Sequence, residues 1–218
     1  MATLEKMDSF FTARVDGYDD HMRSSIKGAD VFYKYTASLL PKMEGAKVLD
    51  LGCGTGLELE EFFAVNPSAR VTGIDLTEAM LDELKSKFPD KELNLICGSY
   101  FDEPLGESVY DAAVSVESLH HFTKDEKIPL YSKVREALNS NGFFILTDYF
   151  ALSGEEEVSL RQELLKIRKE QNLQEDEFYH FDTPLTVEHE RDALIAAGFS
   201  SVEVKNNWDV TYTLKAIK

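Results

Sequence analysis

Cysteine is scarce in this sequence. Cys53 and Cys97 are the only two cysteines among 218 residues, one inside a glycine-rich turn and one at the end of a strand-like run. Two thiols cannot form the disulfide framework on which small secreted domains depend. The cysteine content therefore indicates a reduced, cytoplasmic protein.

Long apolar runs are also missing. No uncharged stretch reaches the roughly 18 residues that a transmembrane helix needs. The first 22 residues carry several acidic side chains and lack the apolar segment of a signal peptide. We therefore expect no membrane span and no secretion signal.

Basic residues are few relative to acidic ones. The chain has 23 Lys and Arg against 40 Asp and Glu, which gives a formal net charge of -17. Such a charge repels phosphate backbones and anionic lipids, and its simplest role is solubility. We therefore expect neither nucleic acid nor a membrane surface as a partner. The oligomeric state stays open, a homodimer included.

Apolar, strand-like runs alternate with helical patterns after residue 46. The runs occupy 47–52, 70–75, 93–97, 111–116 and 142–148. They are apolar on both faces, as buried parallel strands are. Thr77 can cap one intervening helix, and Thr123 with Glu126 forms a capping-box pattern before another. This alternation predicts a doubly wound α/β sheet with its ligand site at the carboxyl ends of the strands.

The two ends of the chain differ from this alternating core. "SSVEVKNNWDVTYTLKAIK", residues 200–218, alternates like two antiparallel strands joined at "NNWD". The predicted fold is therefore a Rossmann-like, mostly parallel seven-stranded sheet that ends in an antiparallel hairpin. Residues 1–44 are predicted to form an N-terminal helical lid, and 45–218 the main domain. Within the main domain, 153–184 is predicted to be a helical insertion that forms a second lid.

The glycine turn indicates the ligand. Asp50 to Gly56 has the spacing D-x-G-x-G-x-G, whereas a dinucleotide fingerprint is G-x-G-x-x-G. A carboxylate two residues before the first glycine repels a pyrophosphate but favours a cation. S-adenosylmethionine (SAM) carries a sulfonium, an ammonium and no phosphate. The turn therefore favours SAM over a nicotinamide cofactor, and a nicotinamide-dependent oxidoreductase is the weaker alternative.

Two motifs together resemble the class I SAM-dependent methyltransferases, over roughly residues 45–150. They are "VLDLGCGTG" at 48–56 and "GIDLTEAML" at 73–81. The resemblance implies a cofactor, SAM, whose product is S-adenosylhomocysteine. It also implies a set of cofactor-binding residues: Asp50, Gly52, Cys53, Gly54, Gly56, Asp75, Leu76, Met80, Ser99, Tyr100 and Ser115.

Within this resemblance several residues have expected roles. Asp75 would accept hydrogen bonds from both ribose hydroxyls, and Leu76 with Met80 would flank the adenine. Ser99 stands where related enzymes carry an Asp that meets the adenine amino group. Tyr100 would stack on the adenine, and the backbone of Ser115 would meet the methionine ammonium. Cys53 reads chiefly as a small residue that a tight turn accepts.

The N-terminal segment "FFTARVDGYDDHM", residues 10–22, resembles the opening of the ubiquinone and menaquinone methyltransferase-like enzymes, a small-molecule branch of the family. The resemblance implies that this segment folds over the cofactor. Tyr18 is then the residue expected nearest to it.

Methyl transfer needs alignment of donor and acceptor, and it needs a base only if the acceptor must lose a proton. The candidate bases are His120, His121, Tyr149, Tyr18, His21, Tyr179 and His180. We favour His120, Tyr149 and Tyr18 as catalytic residues, and plain packing is the competing interpretation for each. No His, Cys or acid spacing indicates a metal site.

A second alternative keeps SAM but changes the reaction. "FDTPLTVEHERDALIAAGF", residues 181–199, and the following hairpin loosely resemble the end of carboxy-SAM synthases. No motif provides an arginine for the carboxylate, so methyl transfer to an unidentified small molecule is the favoured function.

Overall fold

The computed structural model describes residues 3–174 and 177–218, and its centre is one seven-stranded sheet. The strands, in the order β3-β2-β1-β4-β5-β7-β6, confirm the predicted fold class. In chain order they are β1 (Lys47–Leu51), β2 (Arg70–Asp75), β3 (Glu92–Cys97), β4 (Tyr110–Val116), β5 (Leu138–Tyr149), β6 (Ser201–Trp208) and β7 (Thr211–Ile217).

Eight α-helices are present among the described residues, together with a short 3-10 turn at Leu119–His121. The helices are α1 (Met7–Thr12), α2 (Tyr18–Ser25), α3 (Ala29–Leu39), α4 (Leu57–Val65), α5 (Glu78–Lys87), α6 (Lys124–Ala137), α7 (Gly154–Glu170) and α8 (Val187–Ala196). The capping box predicted from Thr123 and Glu126 is present at the start of α6. No helix in the described ranges is both long and apolar enough to cross a membrane.

The register of the sheet brings the carboxyl ends of the strands together. Asp50 of β1 pairs with Gly73 of β2 and with Val114 of β4. The strands β1 to β5 run parallel, so the residues that follow them emerge at one edge. The predicted hairpin is also present, because β7 pairs antiparallel with both β5 and β6.

Helices cover both faces of the sheet. On one face α3 packs against α4, with Phe32 and Phe62 both fully buried. On the other face α6 packs against α8, and Lys127 and Glu190 form a buried ion pair at 2.6 Å between them. The predicted N-terminal lid therefore divides, since α3 lies in the helical layer while α1 and α2 lie over the carboxyl edge.

Two local expectations differ from the structure. The sequence predicts that the run at 93–97 is buried on both faces, but β3 is an edge strand and Asn94 and Cys97 are exposed. The strand expected at 142–148 begins at Leu138, directly after α6. It starts early because Tyr110 pairs with Leu138 ahead of an irregularity in the β4–β5 register.

Candidate active site

Three glycines turn the chain from β1 into α4, and each has a positive φ: +73° at Gly52, +47° at Gly54 and +77° at Gly56. Their surroundings differ. A Cβ at Gly52 would lie 2.0 Å from the Ser118 hydroxyl oxygen, and one at Gly56 would lie 3.1 Å from Leu84. A Cβ at Gly54 would meet nothing within 4 Å. Gly54 is therefore the position of the turn where the backbone is open to a ligand.

Asp75 holds the middle of this turn. One carboxylate oxygen accepts a hydrogen bond from the Gly54 amide at 2.9 Å, and the other accepts from the Thr77 amide at 2.9 Å. Burial raises the pKa of Asp75, and these two amide hydrogen bonds oppose the shift. Each carboxylate oxygen keeps a free lone pair, so the group can still accept from a ligand.

A narrow cavity of about 50 Å³ lies over the turn. Its walls come from the turn, from the ends of β2 and β4, and from the N-terminal helices. The lining residues are Met7, Phe11, Tyr18, Gly52, Gly54, Asp75, Leu76, Thr77, Met80, Tyr100, Val116, Glu117, Ser118 and His121. Two carboxylates line it, and no Lys or Arg in the described part of the chain does. This donor set suits a cationic ligand with hydroxyl groups and is unsuited to a phosphate.

Asp50 lies behind the turn rather than on the cavity wall. It is fully buried, and neither carboxylate oxygen has a hydrogen-bond partner among the described residues. Burial, together with the neighbouring Glu58, raises the pKa of Asp50 well above its usual range. Burial also raises the pKa of Glu58 to about 7. Two neighbouring carboxyl groups in an apolar surrounding cannot both ionise at low cost, so burial favours the neutral form of at least one of them.

The other predicted cofactor residues are distributed unevenly. Leu76, Met80 and Tyr100 line the narrow cavity, whereas Ser99 and Ser115 do not. The Ser115 hydroxyl donates to the Leu51 carbonyl at 2.8 Å and so joins β4 to β1.

The remaining members of the turn face inward. Cys53 points toward Gly73, where an added Cβ would lie 2.7 Å from its sulfur. Gly56 packs on α5. Both therefore shape the turn from behind, while Gly54 presents its backbone.

A larger cavity of about 640 Å³ adjoins the first. Phe11, Tyr18, Glu117 and His121 line both cavities, so the two share a wall. The larger cavity also reaches His120, His180 and Asp182, together with α1, α2 and the chain between them.

A histidine cluster forms one end of the larger cavity. The Nδ1 atom of His120 lies 2.6 Å from an Asp148 oxygen, which fixes the ring. The Nε2 atom of His120 lies 3.5 Å from an Asp182 oxygen, and the Nδ1 atom of His121 lies 3.2 Å from the same oxygen. The ring of His180 lies beside this cluster, and its centroid is 5.1 Å from that of the His121 ring.

The charges in this cluster influence one another. Burial opposes protonation of His120, but the Asp148 and Asp182 carboxylates together outweigh it and raise the pKa of His120 well above the usual range. Burial and the neighbouring His120 lower the pKa of His121. Burial lowers the pKa of His180 to about 4. Burial and the Asp148 carboxylate raise the pKa of Glu117 to about 7.

The N-terminal segment and the chain after α7 join above the site. The Met7 amide donates to the Phe178 carbonyl at 3.0 Å, and the His180 amide donates to the Glu5 carbonyl at 3.0 Å. The Phe10 and His180 rings stack at 3.6 Å with an angle of 7° between their planes. The segments that the sequence suggested as two separate lids therefore form one connected cover.

The favoured catalytic residues occupy three different positions. His120 lines the larger cavity and Tyr18 lines both, while Tyr149 lines neither. The Tyr149 ring lies 5.9 Å from the His120 ring, at the edge of the cluster. Burial raises the pKa of Tyr18 and of Tyr149, so both phenols stay protonated near neutral pH and can donate hydrogen bonds.

Sequence reasoning missed four residues of this site: Glu117, Ser118, Asp148 and Asp182. Glu117 follows β4 directly and has a φ of +49°, a conformation that is strained for a non-glycine residue and is common at functional sites. Its position at the carboxyl end of a strand was the one available signal. Asp182 comes from the segment after α7, and no local pattern connects it to the histidines.

The comparisons with known proteins agree with this geometry. Residues 48–142 match a family model described as a methyltransferase domain. Over these residues the chain resembles the class I SAM-dependent methyltransferases, and the sheet order and the glycine turn agree with that resemblance.

Three individual proteins illustrate the relationship. The chain is 26% identical to the carboxy-S-adenosyl-L-methionine synthase of Campylobacter concisus, over 92% of this chain and 90% of that protein. It is 26% identical to a biotin biosynthesis bifunctional protein of Teredinibacter turnerae, over 93% of this chain and 35% of that protein. The structure of human N-acetylserotonin methyltransferase in complex with SAM aligns with a TM-score of 0.67 at 16% identity, over 97% of this chain and 56% of that one.

The chain thus spans about a third of the bifunctional relative and just over half of the human enzyme. The cofactor of this family is SAM, and the residues present fit it. Gly54 leaves the backbone open, Asp75 offers two acceptor oxygens, and the lining is acidic.

Proposed function

We propose that this protein transfers a methyl group from SAM to a small-molecule acceptor held in the larger cavity. One observation carries the proposal: Phe11, Tyr18, Glu117 and His121 line both the cavity over the glycine turn and the larger cavity beside it. A donor in the first cavity and an acceptor in the second would meet at this shared wall. An in-line displacement requires this kind of arrangement.

The cofactor's sulfonium supplies an activated methyl group, and the chain's own residues supply its alignment. Asp75 would accept from the ribose hydroxyls while Leu76 and Met80 pack along the adenine. The uncovered backbone at Gly54 would let the amino-acid tail lie close. Tyr18, with its protonated phenol, would donate a hydrogen bond at the junction of the two cavities.

The acceptor would be activated at the histidine cluster. Asp148 holds His120 through Nδ1, which leaves Nε2 directed at Asp182 and the larger cavity. His120 is therefore the residue of the chain proposed to act on the acceptor, while Tyr149, which lines neither cavity, would act only through its contact with His120. The cover formed by α1, α2 and the segment after α7 would exclude water during transfer.

The remaining proposals concern partners and location. A small-molecule acceptor is supported by the volume of the larger cavity, about 640 Å³, which is in the range of small-molecule sites. The likeness of residues 10–22 to the ubiquinone and menaquinone enzymes stays a prediction. A cytoplasmic location is supported by the two free thiols. A homodimer is supported by the exposed Leu152, Val158 and Leu165 on and beside α7, and light scattering of the purified chain would measure its mass.

Calorimetric titration tests the proposal at its first step. The chain should bind SAM and S-adenosylhomocysteine, and NAD should give no heat. A panel of phenols, amines and thiols, scored by release of S-adenosylhomocysteine, would then locate the acceptor class. Tight binding of NAD without binding of SAM would overturn the proposal in favour of an oxidoreductase.

A second candidate, synthesis of carboxy-SAM, rests on the relative in Campylobacter concisus. That reaction would need a cation for the added carboxylate. Arg14 is the one Arg or Lys among the described residues that line the two cavities, and it is already paired with Glu5 at 2.9 Å. Mass spectrometry of the copurified cofactor separates the two functions. SAM or S-adenosylhomocysteine would support methyl transfer, and carboxy-SAM would contradict it.

A further inference from the structure

Two adjacent histidines and one aspartate converge at the end of the larger cavity. His120 and His121 come from the 3-10 turn after β4, and Asp182 comes from the segment between α7 and α8. One nitrogen of each ring and one oxygen of Asp182 lie within 4.8 Å of one another. Both histidines are buried, so their rings have few alternative positions.

Two ligand-to-ligand distances in this cluster match those of a metal coordination sphere. Ligand atoms about 2.0 to 2.1 Å from a tetrahedral zinc ion lie about 3.3 Å from each other. The Asp182 oxygen lies 3.5 Å from Nε2 of His120 and 3.2 Å from Nδ1 of His121. The Nδ1 atom of His121 also lies 3.2 Å from the Phe181 carbonyl oxygen, so it would have to give up that hydrogen bond and its proton to bind the ion. The Asp182 oxygen is buried and has no hydrogen-bond partner among the described residues. A cation between these atoms would satisfy it.

A second layer of contacts orients the ligands. The Asp148 carboxylate lies 2.6 Å from Nδ1 of His120, the arrangement that commonly supports a metal-binding histidine. Asp148 is itself held by the amides of Leu119 and Tyr149, each at 2.9 Å. The ring of His120 is thus fixed with Nε2 available to a ligand.

The backbone fixes the third ligand against the other two. The Thr183 amide donates to the His120 carbonyl at 2.9 Å, and the Thr183 hydroxyl donates to the His121 carbonyl at 3.0 Å. Two hydrogen bonds of the neighbouring Thr183 therefore hold the backbone at Asp182 next to the histidines. The cluster is organised before any ion arrives.

We propose that His120, His121 and Asp182 bind a divalent transition-metal ion, zinc first, with a remaining coordination position open to the larger cavity. Two imidazoles and one carboxylate suit zinc and its first-row neighbours better than magnesium or calcium, which prefer oxygen ligands. Three protein ligands with one open position are typical of catalytic rather than structural zinc sites.

The site would define a class of acceptor, a step that rests on the proposed methyl transfer. A hydroxyl or thiol placed at the open position would lose its proton to solvent more readily, because the cation stabilises the anion. The anion would form a bond to the methyl carbon, and the carbon–sulfur bond would break with its electron pair going to sulfur. His120 would then act on the acceptor as a ligand of the ion rather than as a proton acceptor.

The test uses the full chain, stripped of metal with a chelator and measured without SAM or acceptor. Calorimetric titration with zinc should give one site per chain, and cobalt(II) should give the visible absorption of a four- or five-coordinate ion. His121→Ala and Asp182→Asn should each weaken zinc binding at least tenfold. Two matched variants should bind as wild type does: His189→Ala, a half-exposed histidine also paired with a carboxylate, and Cys97→Ser, an exposed thiol.

The proposal would be overturned if both cluster variants bound zinc as tightly as wild type does. It would also be overturned if the wild-type chain bound no zinc at all. Circular dichroism and titration with S-adenosylhomocysteine show whether the variants fold. If they do not, NMR of the wild-type chain with cobalt(II) decides, since only a bound ion shifts the ring signals of His120 and His121 far from their usual positions. A chain that binds S-adenosylhomocysteine but no metal would leave the proposed methyl transfer intact.

Discussion

The Nδ1 atom of His120 and the Oδ1 atom of Asp148 lie 2.6 Å apart and connect the ends of two neighbouring parallel strands, β4 and β5. The contact fixes which ring nitrogen of His120 faces the larger cavity. Asp148 thus positions a residue of the site without lining either cavity itself.

Asp148→Asn should therefore weaken metal binding at the cluster. Carboxylates that orient a ligating histidine contribute about 10- to 100-fold to metal affinity. Titration with cobalt(II) measures the change, and Asp125→Asn on the exposed start of α6 serves as the control. If the Asp148→Asn variant binds cobalt(II) as tightly as wild type does, Asp148 does not have this role.

Asp75→Asn should weaken SAM binding while the sheet stays folded. Asparagine has no charged oxygen to accept the two hydrogen bonds from the ribose hydroxyls, and their loss is worth about 2 to 4 kcal/mol in total. Calorimetric titration gives the affinity, and Asp90→Asn, in an exposed turn, should change nothing. Equal affinity for SAM in wild type and Asp75→Asn would show that this carboxylate does not hold the ribose.

Gly54→Ala should abolish SAM binding for a steric reason. Gly54 and Gly45 both have a positive φ, +47° and +67°, and an added Cβ at either meets no protein atom within 4 Å. Alanine in this conformation costs about 1 to 2 kcal/mol at either position. Gly54→Ala and Gly45→Ala should thus lose similar stability in urea, while only the first loses SAM binding. Retained binding in Gly54→Ala would place the cofactor elsewhere.

Glu58 should make the protein less stable as pH rises. Its pKa is about 7 in the folded protein against 4.5 for the ordinary group. Between these values the folded chain holds a proton that the unfolded chain has released. The free energy of unfolding therefore falls as pH rises from about 4.5 to 7, by on the order of 3 kcal/mol for one such group.

The variant Glu58→Gln tests this dependence. In this variant the free energy of unfolding should fall less between about pH 4.5 and 7. Above pH 7 the variant should be more stable than wild type, because no carboxylate has to ionise beside Asp50. Urea unfolding at several pH values measures it, with Glu60→Gln on the exposed side of α4 as the control. If both variants keep the wild-type slope, Glu58 is already ionised in the folded protein.

Residues 10–22 should become protected from hydrogen exchange when S-adenosylhomocysteine binds. The cavity over the glycine turn measures about 50 Å³, whereas ligand pockets usually hold about 300 Å³ or more. Met7, Phe11 and Tyr18 must move outward for the cofactor to enter and can then close over it. Helix α3, packed in the helical layer, is the internal control. If only the glycine turn becomes protected, α1 and α2 pack against the domain without closing over the cofactor, and Tyr18 is not part of the site.

Most of the sheet could be predicted because each core strand carries a strong local signal. The runs at 47–52 and 70–75 are apolar, and both end in turns whose residue types are specific. β3 was harder, since an edge strand and a central strand of similar composition look alike until their neighbours are known. The start of β5 at Leu138 was missed because its first residues are polar and belong to an irregular part of the register.

The residues on the cofactor side of the site could also be predicted from the sequence. Asp75 and Gly54 lie in short motifs whose chemistry depends on adjacent residues, and both line the cavity in the structure. Asp50 belongs to the same motif, yet its distance from the cavity wall could not be predicted. Its burial depends on Glu58 and on the packing of α4 behind the turn.

The sequence by itself determined the order of strands and helices, the glycine turn and the acidic residue after β2, because each is encoded within a few consecutive residues. The tertiary structure alone decided which charged groups meet. His120, Asp148 and Asp182 are separated by 28 and 34 residues along the chain, and they are brought together where parallel strands end and the cover closes. Contacts of this kind depend on sheet order and helix packing, and no spacing in the sequence records them.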